Sequence, residues 1–337
     1  MKHFNLCFLG FGNVGRALAR LLILKSGELR EWNGFDWRIT GIASRKLGWL
    51  SRPEGFDAAT MAAGESQISE GSRSDAIGQW LQRSQPDVVF ETTSLNHETG
   101  QPGVDYARAG LQFGAHVITA NKGVVVHGFS ELDELAREVG RHFYFEATVL
   151  DGAPIFSLFR ETLPAARLRG FTGIVNSTTN VIIETMEAGR SFAEGIKTAQ
   201  ELGITESDPT HDVDGWDATI KVCALAAVLM KRPLKPTAVR RQGIQHLNPP
   251  LVQAARAEGK PFKLVARARL AENGALITSV KPEQLSTTEG IGNVRGTSLA
   301  IHFELDILPG LTVTSHRPNL QSTAYGLLAD FINAVKE

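Results

Sequence analysis

The chain has 337 residues, 42% of them hydrophobic and 21% charged, which is typical of a globular protein of about two domains. Its formal net charge of −1 argues against a nucleic-acid partner and against binding to an acidic membrane surface. No apolar run approaches the ~20 residues of a membrane span. Cys7 and Cys223 lie in apolar runs, as buried thiols of a reducing compartment do. The start has too short an apolar run for a signal peptide, so we expect a cytoplasmic protein.

A glycine turn stands between a short strand and a helix near the start of the chain. The apolar run 4–9 predicts the strand, GFGNVG follows it, and the next residues have helical periodicity. In a dinucleotide-binding unit the first glycine makes the turn and the second lets the backbone approach a pyrophosphate. The third packs helix on strand, and the helix start faces the phosphates. The alternative is a glycine turn of another α/β fold. The sequence predicts cofactor contacts from Gly10, Phe11, Gly12, Asn13, Val14 and Gly15.

The end of the second predicted strand, 37–43, bears on the choice of cofactor. It continues into Ser44, Arg45 and Lys46, without a carboxylate. An acid there hydrogen-bonds a free ribose hydroxyl, whereas an arginine suits a 2′-phosphate. The sequence therefore predicts NADP(H) in preference to NAD(H), which remains possible, with Arg45 and Lys46 as phosphate contacts. The alternative is that two cations are solvated on an exposed loop.

Polar residues also follow the next two predicted strands. Residues 47–74 predict a loop with weak helical pieces, and Asp75 begins a predicted helix. Strand 87–91 then precedes Thr92-Thr93-Ser94, and strand 116–120 precedes the turn Asn121-Lys122-Gly123. Ligands bind at the carboxyl ends of strands in open parallel sheets. We therefore expect cofactor contacts from Thr92, Thr93, Ser94 and Lys122.

The stretch ESDPTHDVDGWDATIK, residues 206–221, places five carboxylates ahead of one lysine. Asp214 precedes a predicted helix, 215–230, and is its expected N-cap. Asp217 and Lys221 are four residues apart and share one helix face. One interpretation is an exposed pair that contributes a few tenths of a kcal/mol. The other is a binding site for an amine, because so many carboxylates repel one another unless a cation lies among them.

A cluster of small polar residues, Asn176-Ser177-Thr178-Thr179-Asn180, opens another predicted helix. It either caps the helix or holds a polar substrate. Together with the stretches above, it resembles homoserine dehydrogenase. The resemblance rests on GFGNVG, VITANKG, EATVLDGAPI, GIVNSTTN and AQELGITESDPTHDVDGWDATIK in this order, and it continues through LSTTEGIGNVRGTSLAIHFE and STAYGLLADFINAV.

The resemblance implies a two-domain α/β fold and a reaction. Residues 1–145 would form an N-terminal Rossmann dinucleotide-binding domain, to which a helix at about 320–337 returns. Residues 146–319 would form a mixed α/β substrate-binding and dimerisation domain of a homodimer. The implied reaction is the reversible NAD(P)H-dependent reduction of L-aspartate 4-semialdehyde to L-homoserine, in threonine and methionine biosynthesis.

The resemblance also implies roles for individual residues. Lys221 would give the proton to the carbonyl oxygen, with Lys122 near substrate and nicotinamide. A lysine suits the first role because hydride delivery to an aldehyde leaves an alkoxide, which needs a positive charge and a proton. The substrate contacts would be Glu206, Asp212, Asp217 and Thr178, and Thr93 would contact the cofactor. A sodium ion would bind the backbone carbonyls of Glu146, Val149, Asp151 and Ala153.

Two departures from the family pattern leave alternatives open. Residues 315–319 replace a GPGAG-like loop near the cofactor, and Ser177 replaces a glycine. The first alternative is a related amino-acid semialdehyde or hydroxy-acid dehydrogenase. The second is a low-turnover NADP(H)-binding sensor that uses Arg317 with the two cations after the second strand. The chain ends at Glu337, so we expect no threonine inhibition through a C-terminal regulatory domain.

Overall fold

The computed structural model describes residues 1–64, 77–205, 207–288 and 290–336. The chain divides into two compact units, Met1–Gly152 with Asn319–Glu337, and Ala153–Pro318. The predicted substrate contact Glu206, the predicted helix start Asp75 and part of the predicted loop 47–74 lie outside the described residues. Within the described ranges, no helix is both long and apolar enough to cross a membrane.

The first unit contains a six-stranded sheet in the order β3-β2-β1-β4-β5-β6. Neighbouring strands are parallel, except that β3 runs antiparallel to β2. Because β1 lies between β2 and β4, the strand order changes direction there, and a crevice forms at such a switch point. The strands are β1 (Lys2–Leu9), β2 (Phe35–Ser44), β3 (Gly48–Phe56), β4 (Val88–Glu91), β5 (His116–Thr119) and β6 (Phe143–Tyr144).

Seven helices of the described residues belong to this unit, and the last comes from the C-terminal end of the chain. They are α1 (Asn13–Leu24), α2 (Ser26–Asn33), α3 (Ala58–Ala63), α4 (Ile77–Ser84), α5 (Gly103–Phe113), α6 (Lys122–Glu138) and α12 (Leu320–Val335). Helix α12 carries Phe331, whose ring packs against Phe4, Phe35 and Phe90 at centroid distances of 6.0, 5.2 and 6.0 Å. The C-terminal helix therefore completes the core of the first unit.

Residues 48–56 form a strand, so the prediction of a loop was wrong for this segment. Pro53 and the charged residues beside it obscure the strand in the sequence, but proline is tolerated on an edge strand such as β3. The strand is held by packing from a distant helix. Trp80 of α4 donates Nε1–H to the carbonyl of Leu50 over 2.8 Å, and its ring meets Trp49 edge-on at 5.4 Å.

The second unit contains another six-stranded sheet, in the order β12-β11-β7-β9-β10-β8. All neighbours are antiparallel except β8 and β10. Its strands are β7 (Leu168–Ile174), β8 (Arg240–Arg241), β9 (Phe262–Leu270), β10 (Leu276–Gln284), β11 (Leu299–Leu305) and β12 (Leu311–Ser315). Its α-helices are α7 (Ser177–Glu187), α8 (Phe192–Glu201), α9 (Thr210–Val213), α10 (Trp216–Leu229) and α11 (Pro249–Ala257).

Helix α10 is the buried helix of the second unit. Residues 218–227 are all buried, as expected of a helix that is apolar on every side. The prediction that Asp214 caps this helix was wrong. Gly215 precedes the first helical residue with a φ of 82°, and no side chain caps the helix. Asp214 instead follows α9, and its carboxylate accepts a hydrogen bond from the Gln245 amide.

A histidine in the first unit gives the fold a pH dependence. Burial, with His142 and Arg141 nearby, lowers the pKa of half-buried His116 to about 4. The backbone N–H of His142 donates to His116 Nδ1 over 3.1 Å, and a proton on that nitrogen would break the bond. The unfolded chain therefore binds this proton more readily than the folded chain does. Stability is lost progressively as the pH falls from about 6.5 to about 4.

The variant His116→Gln should remove this part of the acid sensitivity. Between pH 6.5 and 4 its free energy of unfolding should fall about 1–2 kcal/mol less than that of the wild type, a value discounted for solvent screening. Urea denaturation across this pH range measures the difference. The exposed His246→Gln serves as the control and should follow the wild type. If the free energies of unfolding of His116→Gln and wild type fell equally between pH 6.5 and 4, His116 would not be the source of the acid sensitivity.

Candidate active site

The glycine turn after β1 has the geometry that a bound pyrophosphate requires. Gly10 has a φ of 89°, and a Cβ there would lie 2.5 Å from the carbonyl oxygen of Thr92. A Cβ on Gly15 would lie 3.1 Å from the Gly10 oxygen, so helix and turn pack closely. In the part of the chain that the structure describes, a Cβ on Gly12 would meet no atom within 4 Å, which leaves open space over the start of α1. The turn therefore fits a dinucleotide phosphate held on the helix N-terminus.

The loops after β2 and β4 meet beside this turn. Arg45 Nη2 donates to Ser94 Oγ over 3.4 Å, and Thr92 Oγ1 donates to the Gly10 carbonyl over 2.8 Å. Arg45 and Lys46 are exposed, and Ser44 Oγ accepts from the Leu47 N–H instead of approaching the turn. The structure thus brings the arginine predicted to contact the cofactor next to a serine with the same predicted role.

A buried carboxylate joins the loops after β4 and β5. Glu91, the last residue of β4, accepts from the Thr93 N–H over 3.0 Å, from the Thr93 hydroxyl and from Thr119 Oγ1 over 2.6 Å. Burial is the largest influence on Glu91 and raises its pKa, which these hydrogen bonds partly offset. Asn121 caps α6 by accepting from the Gly123 N–H. Lys122 is therefore the half-buried first residue of a helix and not, as predicted, part of a turn.

Helix α12 shapes the loop that contains most of the predicted sodium ligands. The N–H of Glu146 donates to Asp330 Oδ2 over 2.7 Å, and Thr323 Oγ1 donates to Asp151 Oδ1 over 3.2 Å. Glu146 and Val149 are buried, whereas Ala153 begins the second unit. The described residues contain no cluster of three His, Cys, Asp or Glu side chains suited to a metal. The expected donors are main-chain carbonyls, so the sodium site remains a prediction.

The open space at Gly12 can be tested by filling it. In Gly12→Ala the methyl group clashes with no atom of the described residues, so the thermal midpoint should fall only slightly, by the cost of alanine at the N-cap of α1. The methyl group would stand where the pyrophosphate approaches, and dinucleotide affinity should fall about tenfold or more, ~1.4 kcal/mol. Titration of NADPH fluorescence measures it. Gly27→Ala, also free of protein clashes, is the control. Unchanged affinity in Gly12→Ala would contradict the placement.

In the second unit, Asp217 and Lys221 form a buried ion pair one helical turn apart. Lys221 Nζ lies 3.2 Å from Asp217 Oδ2, and the side chains are 9% and 13% exposed. Nζ also donates to the carbonyl of Val175, which follows β7. The interpretation of an exposed surface pair is therefore wrong. The arrangement places a lysine ammonium, which can hold an oxyanion and give it a proton, beside a carboxylate.

Asn176 connects this pair to a second predicted acid. Its Nδ2 donates to Asp212 Oδ1 over 2.7 Å and to Asp217 Oδ2 over 3.0 Å. The other oxygen of Asp212 accepts from Thr205 Oγ1 over 2.9 Å. Both acids are largely shielded from solvent without being fully buried. Two carboxylates and one ammonium leave these three side chains with an excess of negative charge, which suits a cationic amine.

The start of α7 is fixed by contacts on both sides. Asn176 caps the helix through Oδ1, so the capping interpretation of this segment is confirmed. Thr178 is buried and donates its hydroxyl to the carbonyl of Ile204 over 3.1 Å. Ser177, which stands in place of the family's glycine, donates to the carbonyl of Thr297 over 2.9 Å. Within the same unit, the N–H of Arg317 donates to Ser298 Oγ over 3.2 Å.

Several hydrogen-bond partners near the glycine turn of the first unit and near Lys221 of the second unit were not predicted from the sequence. Glu91 could have been noticed as a carboxylate that closes an otherwise apolar strand, VVFE. The second use of the Asn176 amide, as a donor to two acids, has no local sequence signal. The sequence around Thr119 and Thr205 gives no sign of a special role. Only the fold shows that their hydroxyls donate to Glu91 and Asp212.

Comparisons with known proteins cover both units of the chain. Residues 10–146 match the family model "Homoserine dehydrogenase, NAD binding domain", and residues 154–332 match "Homoserine dehydrogenase". The NAD(+)-dependent homoserine dehydrogenase of Pseudomonas canavaninivorans is 33% identical, over 99% of this chain and 96% of that protein. The homoserine dehydrogenase of Sulfurisphaera tokodaii is 31% identical, over 97% of each chain.

Solved structures give the same result. The crystal structure of a homoserine dehydrogenase from Thiobacillus denitrificans has a TM-score of 0.84 and 28% identity, covering 99% of this chain and 73% of that one. The fold and the comparisons thus define an oxidoreductase that acts on a CH–OH group with a nicotinamide dinucleotide. The chain belongs to the homoserine dehydrogenase family.

Proposed function

We propose that the second unit binds L-homoserine and that Lys221 is the proton-transfer group for its reversible oxidation to L-aspartate 4-semialdehyde. The observation that carries this proposal is the buried pair of Lys221 with Asp217. In the oxidation the deprotonated amine of Lys221 accepts the hydroxyl proton and becomes an ammonium, and in the reduction the ammonium protonates the alkoxide, so the group must be held at the reacting oxygen. A nicotinamide dinucleotide held at the glycine turn after β1 would supply the hydride acceptor for oxidation and the hydride donor for reduction.

The remaining residues have supporting roles in the same proposal. Asp212, Asp217 and Glu206 hold the amino and hydroxyl groups of the substrate, and Thr178 borders the substrate through its backbone. Lys122 is the half-buried first residue of α6, at the positive end of that helix, and its role toward substrate and nicotinamide follows from the resemblance to the family. Thr93, held by Glu91, contacts the cofactor. The excess of carboxylates fits a substrate that carries an ammonium group.

Removing the amine of Lys221 should abolish most activity without unfolding the protein. Lys221→Met keeps the volume of the buried side chain, and Asp217 retains its hydrogen bond from Asn176. Homoserine-dependent reduction of NADP⁺, followed at alkaline pH, should fall in kcat about 100-fold or more, the scale of lost general acid–base catalysis. NADPH affinity should change little, whereas the thermal midpoint should fall, because the buried Asp217 keeps its charge and loses its ammonium partner. Lys281→Ala removes an exposed lysine of the same unit and is the control.

Two outcomes would contradict the assignment of Lys221. Near wild-type kcat in Lys221→Met would show that another group moves the proton. Turnover in the wild type with a different hydroxy amino acid, and none with homoserine, would favour the related dehydrogenase. Tight NADP(H) binding without turnover of any such substrate would favour the sensor.

We also propose that the cofactor preference is for NADP(H). The support is the loop after β2, which offers Arg45 and Lys46 and has no carboxylate among residues 44–47. Arg45 lies against Ser94 at the end of β4, where a 2′-phosphate could accept hydrogen bonds from both. The Pseudomonas relative is named for NAD(+), so the preference depends on these residues of the present chain.

Arg45→Ala should lower kcat/KM for NADP⁺ about 10- to 100-fold, the loss of ~1.5–3 kcal/mol from a charge-assisted hydrogen bond. The value for NAD⁺ should change little, because NAD⁺ has no 2′-phosphate for the arginine to meet. Arg137→Ala removes an exposed arginine of α6 and is the control. An equal loss with both cofactors, or a wild type that prefers NAD⁺, would contradict the proposal.

Three further elements complete the proposal. A homodimer through the sheet of the second unit and a sodium ion on the carbonyls of Glu146, Val149, Asp151 and Ala153 follow from the resemblance to the family. A reducing, cytoplasmic location is supported by two buried free cysteines, Cys7 and Cys223. Burial raises the pKa of each thiol to about 12, so neither is a reactive thiolate near neutral pH.

A further inference from the structure

One amide nitrogen serves both carboxylates of the candidate substrate site. Asn176 follows β7, Asp212 lies on α9 and Asp217 on α10, so the amide joins three separate elements of the second unit. We propose that Asn176 is a positioning residue for homoserine oxidation. Its Nδ2 holds Asp212 and Asp217 in the orientations that substrate binding and proton transfer require. The inference rests on the function proposed above.

The hydrogen bonds of Asn176 determine which way its amide faces. Oδ1 accepts from the Thr179 N–H over 2.9 Å and from Thr179 Oγ1 over 2.9 Å. The backbone N–H can only donate and the two carboxylates can only accept, so Oδ1 must lie on the Thr179 side and the NH₂ group must face the acids. The residue is buried, 4% exposed, and water therefore has little access to replace either set of bonds.

A helix cap alone does not require asparagine at this position. Serine and aspartate cap helices about as well, because the cap uses only an acceptor oxygen. Two neighbouring carboxylates, however, repel each other and need donors. An asparagine is short enough to cap the helix and also has two N–H donors, so it gives each acid a partner without cancelling the charge that attracts an ammonium. Capping and positioning can therefore be separated by mutation.

Asn176 would change the position of the lysine through Asp217, which contacts both. Asp217 Oδ2 accepts from Asn176 Nδ2 over 3.0 Å and lies 3.2 Å from Lys221 Nζ. Without the amide, the carboxylate keeps one charged partner and is freer to rotate, and the ammonium can follow it. Displacement of a catalytic group by about 1 Å costs up to about 100-fold in rate. Release of Asp212 would in turn weaken substrate binding.

The decisive variant is Asn176→Ser, which keeps a cap oxygen and removes the amide. We expect kcat/KM for homoserine to fall about 10- to 100-fold, with a lower kcat through Asp217 and a higher KM through Asp212. NADPH affinity should remain close to wild type, and the thermal midpoint should fall only modestly, through the two hydrogen bonds that the acids lose. Asn248→Ser is the matched control, because Asn248 caps α11 of the same unit by accepting from the Leu251 N–H. It should keep wild-type kinetics.

A double-mutant cycle tests whether Asn176 acts through the acids. In an Asp217→Asn background, Asn176→Ser should lower kcat by less than about threefold, since the carboxylate that it positions is gone. The same change in an Asp212→Asn background should no longer raise KM. If Asn176→Ser is too unstable to purify, Asn176→Thr, which keeps a cap hydroxyl, lacks the amide and adds no charge, takes its place and should show the same non-additivity.

Three results would overturn the inference. Wild-type kinetics in Asn176→Ser would show that the amide does not matter. A loss that persists undiminished in both acid backgrounds would show that Asn176 acts independently of them. A loss of activity matched by an equal drop in NADPH affinity and thermal midpoint would show a structural cap only. Failure of the wild type to oxidise homoserine would be a different result, because it would reject the proposed function itself.

Discussion

The charge on Lys221 constrains the whole second unit, because it lies in the middle of a helix whose other buried residues are almost all apolar. A charge in such surroundings is costly unless it is paired and hydrogen-bonded. Helix α10 supplies Asp217 one turn away, and the end of β7 supplies the carbonyl of Val175. Satisfying this one ammonium therefore fixes the helix against the end of a strand, where Asn176 begins α7 and brings Asp212 into the same network.

The first unit also contains a buried ionisable group, the carboxyl of Glu91, whose burial is partly offset by hydrogen bonds. Glu91 ends a strand, and its donors come from the loop after β4 and from the end of β5. The ends of β4 and β5 are thereby held together by hydrogen bonds of a buried group. In both units, the residues with proposed chemistry lie next to a buried charge that is bonded to backbone or hydroxyl groups. A local change at either charge would therefore disturb the adjoining site as well.

Much of this arrangement could be predicted from the sequence, because it depends on local patterns. The strand, glycine turn and helix at the N-terminus, the cap at Asn176 and the spacing of Asp217 and Lys221 are all set by neighbours within a few residues. The loop predicted at 48–56 was wrong because distant tryptophan packing makes an edge strand of a polar segment. Asp214 was wrongly predicted as a cap because the chain inserts α9 and turns at Gly215.

Burial and the sharing of polar groups could not be predicted. Spacing alone gives equal support to an exposed ion pair and to a buried one, and only the packing around α10 decides between them. The NH₂ group of Asn176 and the carboxylate of Glu91 acquire their partners from elements 28 to 41 residues away. The motifs that resemble homoserine dehydrogenase located these regions, but the contacts between them come from the fold.

The most direct test of this account is a crystal structure of the protein with L-homoserine and NADP⁺ bound. We predict that the substrate hydroxyl oxygen lies within hydrogen-bond distance of Lys221 Nζ. We also predict that the substrate ammonium lies against the acids that include Asp212. A structure in which homoserine binds with its hydroxyl away from Lys221, and with its ammonium paired to other residues, would contradict the assignment of this buried pair as the reaction centre.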